Sequence, residues 1–146
     1  MALPEFDERG DLPAGLHPAS LADVAERFGQ SNDARRELLK MLETIFQRAK
    51  ATGKLLRFVV FGSFITATTE PRDIDVVMVM QDDFSMAACG EETRILFDHQ
   101  RAEEELGASI FWVCPSVLLR ESLDEFLAGW GTKRDLSRRG VVEVVL

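Results

Sequence analysis

The stretch 59-VVFGSFITATTEPRDIDVVMVM-80 decides the fold. Its second half, Ile74 and Val76 to Met80, is too uniformly apolar for a strand with one wet face. It reads as a strand buried on both sides. Two aspartates, Asp73 and Asp75, stand at the mouth of that run, where a carboxylate is costly unless something pairs with it. Just upstream, 55-LLRFVVF-61 is a second apolar strand, and it ends in Gly62-Ser63. Two strands, a glycine-serine turn and a paired-acid entrance define one end of a sheet.

Working outward, Ser20 and Asp23 have N-cap spacing and open a short helix, 21-LADVAERFG-29, that stops at Gly29. A second helix starts near Asn32 or Asp33. Ala34, Leu38, Leu42, Ile45, Phe46 and Ala49 form its apolar stripe, and Gly53 closes it. Arg35, Arg36, Glu37, Glu43 and Arg48 are assigned to its other faces, the pattern of a helix lying on a sheet. Beyond the loop 81–90, the spacing predicts a helix over about 91–106 and a strand, 108-ASIFWVC-114, stopped by Pro115. A helix over 116–127, a Gly- and Arg-rich turn and a terminal strand, 141-VVEVVL-146, follow. Residues 1–19, with Pro4, Gly10, Pro13, Gly15 and Pro18, read as an irregular arm. The expected fold is α/β (α+β): one domain over 1–146, a mixed sheet of four to five strands, helices mainly on one face.

Bulk properties narrow the function classes. The 146 residues favour one core of ordinary size, and 46% hydrophobic with 29% charged residues is the balance of a globular chain. A net charge of −8 leaves no general basic field, so non-specific DNA binding is not expected. Neither a secretory leader nor a run long enough to span a bilayer is visible. Cys89 and Cys114 are too few for a disulfide framework. Cys114, in an apolar run, reads as a buried thiol, and a reducing cytoplasm is the expected compartment.

Side chains two apart on a strand share a face, so Asp73 and Asp75 project together while Ile74 enters the core. Carboxylates spaced roughly 6–7 Å apart at Cα can bracket divalent ions. Mg²⁺ takes one or two protein carboxylates and completes its shell with water and substrate phosphates. Gly62 permits close backbone approach by a phosphate. Ser63 can offer its N–H and hydroxyl, and a helix starting near Phe64 would aim its positive end at the anion.

Neither half of this pattern is specific alone. Strand, Gly-Ser, nine residues, Asp-x-Asp and strand together resemble the polymerase-β-like nucleotidyltransferase superfamily, with its hGS turn and DhDh strand. Here these read Phe61-Gly62-Ser63 and Asp73-Ile74-Asp75-Val76. The N-terminal LPEFDERGDLPAG, the ASIFWV strand and the RRGVVEVVL ending are similar to a small group of uncharacterised bacterial single-domain proteins within it. The resemblance implies Mg²⁺- or Mn²⁺-dependent transfer of a nucleoside monophosphate from an NTP to a hydroxyl of a protein, an RNA end or a small molecule. Asp73 and Asp75 would hold the metal, with Gly62, Ser63 and Arg72 at the triphosphate. In size and core motif the chain is also similar to antitoxin-type nucleotidyltransferases that modify a toxin.

One departure stands against catalysis. Such enzymes draw a third carboxylate from a later strand, and the resemblance places it at Ser109, which is no acid. Glu143 and Asp98 are the conceivable substitutes. The alternative function is therefore a catalytically silent fold that binds a nucleotide or a partner protein, as an antitoxin would. Other features are weaker. Arg72 could equally pair with Glu70. Lys133, Arg134, Arg138 and Arg139 form the one dense basic cluster, suited to phosphate or to an ordinary solvated turn. His17 and His99 are far apart, no Cys or His has zinc-ligand spacing, and Gly62-Ser63 lacks the Gly-Lys of a P-loop. Trp112 and Trp130 read as packing residues, and Glu103 to Glu105 as a solvated helix end.

Overall fold

A computed structural model describes residues 3–118 and 121–146. In chain order the elements are β1 (Gly15–Ala19), α1 (Leu21–Phe28), α2 (Asp33–Ala51), β2 (Leu55–Phe61), β3 (Ile74–Met80), α3 (Glu91–Arg94), α4 (His99–Leu106), β4 (Ala108–Val113), α5 (Leu123–Gly129) and β5 (Gly140–Val144). The strands form one mixed sheet, ordered β1-β5-β2-β3-β4. Strand β2 lies antiparallel between β5 and β3, whereas β1 with β5 and β3 with β4 are parallel pairs. The fold is the mixed α+β class that the strand and helix patterns call for.

Strand β3 is buried on both faces, as its composition requires. Ile74, Val76, Met78 and Met80 pack with α1, α2 and α4 through Phe28, Leu42, Ile45, Phe46 and Ala102. Val77 and Val79 turn the other way and join Val59, Val141 and Leu127 under α5. Burying one such side chain fully is worth about 1.5–3 kcal/mol, so both faces contribute to stability. Helices thus lie mainly on one face, with α5 alone on the second. Among the described residues, no helix is long and apolar enough to cross a membrane.

Several local expectations need correction. The N-terminal arm is not irregular throughout: Gly15 to Ala19 pair in parallel with Gly140 to Val144. Pro18 is tolerated because β1 is an edge strand, and the pairing comes from the far end of the chain. The helix expected over 91–106 is broken by a 3₁₀ turn, Ile95–Phe97, and by Asp98. Asp98 is extended (φ −113°) and its carboxylate accepts from the Arg101 N–H at 3.2 Å, starting α4 afresh. The helix expected over 116–127 begins only after Ser122, which caps α5 through the Glu125 N–H at 3.1 Å. Pro115–Val117 form a 3₁₀ turn, and residues 119 and 120 lie outside the described residues. The last strand starts at Gly140 and ends at Val144. Cys114 is only half-buried, with its Sγ 3.5 Å from the Gln81 carbonyl oxygen.

The largest correction concerns α2. Arg35, assigned to a solvent face, is 4% exposed and shares the buried stripe with Leu39, Leu42, Ile45, Phe46 and Ala49. Ala34 and Leu38 are only partly covered. The Arg35 guanidinium donates to the carbonyl oxygens of Phe28 (3.0 Å), Phe64 (2.6 Å), Thr66 (2.7 Å) and Thr68 (2.5 Å). A buried arginine is tolerable only when its donors are satisfied, and this one is satisfied by backbone alone.

Candidate functional site

The site forms where β2 ends and β3 and β4 begin. Phe61 lies opposite Asp75, and Asp75 lies opposite Ser109. At Gly62 the backbone takes φ 82° and ψ −164°, a conformation that disfavours any side chain. A methyl group there would overlap Asp75 Oδ2 and come within 2.9 Å of its Cγ. The glycine therefore lets the Asp75 carboxylate lie against the backbone of the turn.

The expected helix at Phe64 is a single 3₁₀ turn, Ser63–Ile65. Three residues sum too few peptide dipoles to act as a helix terminus, so that part of the expectation falls. The turn is held firmly. Phe64 and Ile65 are buried, and the Thr66 hydroxyl donates to the Ser63 carbonyl oxygen at 2.7 Å. Arg35 gathers the carbonyls of Phe64, Thr66 and Thr68 from beneath. Sequence reasoning missed this role, because an arginine among charged neighbours on a helix reads as surface.

The electrostatics of the two aspartates are unusual for carboxylates. Burial first, and then the charge of Asp73, push the Asp75 carboxyl up to about 6 against the opposing Ser109 hydroxyl and Arg139 charge. Asp73 is also raised, by burial and then by the charge of Glu103, with Arg72 opposing. Arg72 is exposed and makes no ion pair with Glu70. Both acids thus lack a full complement of positive charge.

Neither substitute acid serves. Glu143 accepts two hydrogen bonds from Arg57, Nε to Oε2 at 2.8 Å and Nη2 to Oε1 at 2.7 Å. Asp98 is committed to capping α4. The acid that does approach is Glu103 on α4, whose Oε1 accepts from Ser109 Oγ at 3.4 Å and lies 3.2 Å from His99 Nε2. Its only sequence signal is the short α4–Gly107–β4 connection, which returns the helix's last turns to the head of β4. The Ser109 hydroxyl is shared between Glu103 and Asp75. Among the described residues no three His, Cys, Asp or Glu side chains are clustered so as to hold a metal ion. The donor set at the turn is therefore the Asp73–Asp75 pair, which is within what Mg²⁺ takes from protein.

A cavity of about 690 Å³ opens beside Asp75, lined also by Phe61, Gly62, Trp130, Lys133, Arg134 and Arg139 among others. The basic cluster is thereby divided. Lys133, Arg134 and Arg139 face the aspartate end, whereas Arg138 lines a separate hollow with Leu16 and α5. Trp130 packs between Phe61 and Phe111, at ring distances of 5.1 and 4.8 Å, and Trp112 meets Phe84 and Phe97 edge to face. No curated protein and no solved structure matches the chain. Residues 4–145 match DUF6932, described as a family of unknown function, and the protein belongs to that family.

Proposed function

We propose that the protein is a Mg²⁺-dependent nucleotidyltransferase, moving a nucleoside monophosphate from an NTP to a hydroxyl on a protein, an RNA end or a small molecule. The observation that carries this reading is the Asp75 carboxylate lying against Gly62, beside Asp73, both acids raised by burial and short of positive charge. Acids arranged this way are costly to the fold and suit a site whose positive charge comes from outside. Asp73 and Asp75 would hold the metal. When bound, it would supply neutralisation and orientation of the triphosphate. The Gly62-Ser63 turn would bring backbone to the phosphates, and Arg35 keeps that turn in place. Little proton transfer is asked of the protein, because positioning and charge stabilisation carry most of such chemistry.

A second reading has its own support. Ser109 stands where an acid is expected and, among the described residues, no third carboxylate clusters with the pair, which favours a silent fold that binds a nucleotide or a partner such as a toxin. Calorimetry of NTP binding with and without Mg²⁺ separates the two, comparing the native protein with Asp73→Asn/Asp75→Asn. The catalytic reading expects binding that needs both the metal and the aspartates. Equal behaviour of the two proteins, or no binding, would retire it.

A further inference from the structure

The segment 131-GTKRDLSRR-139 closes on itself as a tight hairpin. Its Lys133 N–H donates to the Ser137 carbonyl oxygen at 2.8 Å and its Arg139 N–H to that of Gly131 at 2.9 Å. Thr132 and Arg138 form an antiparallel bridge, and Leu136, at φ 72°, turns the chain. Gly131 is required, because a Cβ there would overlap the Arg139 carbonyl oxygen. The hairpin therefore presents its side chains in a set geometry.

Three of those side chains are cations on the cavity that also holds Gly62 and Asp75. Asp11, 5% exposed, anchors two of them: Lys133 Nζ at 3.0 Å and Arg139 Nη1 at 3.4 Å. One carboxylate cannot neutralise two cations. Arg134 adds a third, exposed and without an ion pair among the described residues. The acid on this wall, Asp135, accepts from both the backbone N–H and the hydroxyl of Ser137. Those bonds leave its charge in place, so three cations against Asp11 and Asp135 give the wall one positive charge in excess, beside Asp75 and in a chain of net charge −8.

We propose that this hairpin is the polyphosphate-binding wall of the site, with Lys133, Arg134 and Arg139 taking the phosphate tail of a nucleoside triphosphate whose reacting end faces Asp73 and Asp75. The assignment deepens the nucleotidyltransferase reading and rests on it for the nucleoside. The phosphate recognition stands by itself. Charge-assisted hydrogen bonds from arginine and lysine are the strong ones for phosphate, and the Asp11 anchor holds two of the donors in place before any ligand arrives.

The test is binding of inorganic tripolyphosphate and of MgATP, followed by calorimetry and by the fluorescence of Trp130, which lines the same cavity. Arg134→Ala leaves the fold untouched and should weaken both ligands by about tenfold, and Lys133→Ala/Arg134→Ala by more. Without metal, Asp75→Asn should tighten tripolyphosphate, since it removes a like charge from the cavity. A thermal melt of each variant separates lost binding from lost fold. Wild-type protein that ignores tripolyphosphate at about 1 mM, or binds it as well in the double variant, would overturn the proposal. So would a short RNA bound through the same cations while tripolyphosphate is inert. Loss of the two readings is distinguishable. Binding that needs the cations but neither Mg²⁺ nor the aspartates keeps this wall and removes nucleotidyl transfer. Binding that needs metal and aspartates but not the cations does the reverse.

Discussion

Two groups of charge share one face of the sheet, and their surroundings differ. On β2, Arg57 meets Glu143 of β5 through two hydrogen bonds and Asp124 of α5 through a third at 2.6 Å. The paired acids, Glu143 first, hold the Arg57 guanidinium well above its usual range. At the end of the same hairpin of strands, Asp75 has a neighbouring acid, a shared hydroxyl and a distant arginine, and burial raises it. The first group is complete within the protein; the second is not. Structural ion pairs are closed by folding, whereas the cation site proposed at Asp73 and Asp75 would be left open at a cost in stability.

That comparison can be broken from its strong side first. Arg57→Leu should destabilise the protein by about 2–4 kcal/mol, because Glu143 is then left half-buried without its partner. Urea unfolding measures it, and Arg57→Leu/Glu143→Leu should recover most of the loss. A double variant as unstable as the single one would show that packing, not charge, is what the pair supplies.

Gly62→Ala comes next, at about 2 kcal/mol, from the left-handed backbone and the overlap with Asp75. In an Asp75→Ala background the penalty should shrink, leaving the backbone part. A penalty unchanged by Asp75→Ala would mean that the two residues do not press on each other.

Asp75→Asn should have the opposite sign. Its folded-state carboxyl is raised from 3.8 to about 6, so the folded protein holds a proton that the unfolded chain has already released. Stability contributed by that proton is present below about pH 4 and lost as pH rises through about 6. At pH 7.5 the substitution should therefore stabilise the protein by about 1–2 kcal/mol, after allowing for screening of a partly exposed group. That corresponds to a few degrees in melting temperature, and the gain should vanish below about pH 4. A destabilised variant at pH 7.5 would place Asp75 among the structural charges.

The smallest effect is the most pointed. Mg²⁺ at about ten times its dissociation constant should stabilise the native protein by about 1.4 kcal/mol and leave Asp75→Asn unmoved. Equal shifts in both proteins would place the ion elsewhere.

Strands β2 and β3, the Gly62 turn and the acid pair were legible in the sequence because each is a local pattern. An apolar run of strand length, a glycine at a turn and acids two apart all state their geometry within a dozen residues. The remaining parts of the site were not legible. Arg35 acts through carbonyls about 30 residues away, Glu103 reaches Ser109 only because α4 folds back on β4, and Asp11 meets Lys133 across most of the chain. Edge strand β1 was hidden by Pro18 and Gly15, which read as loop until β5 pairs with them.

Local sequence thus determined that β2 and β3 are strands, which face of β3 carries the acids and that the turn after β2 needs a glycine. These follow from side-chain periodicity and allowed dihedrals, which depend on near neighbours alone. Only the tertiary structure decided which charges find partners. Glu143 was closed by Arg57, Lys133 and Arg139 were turned toward the cavity, and Asp73 with Asp75 was left under-neutralised. Charge pairing depends on distance in space and on burial, and both are set only when distant segments pack together.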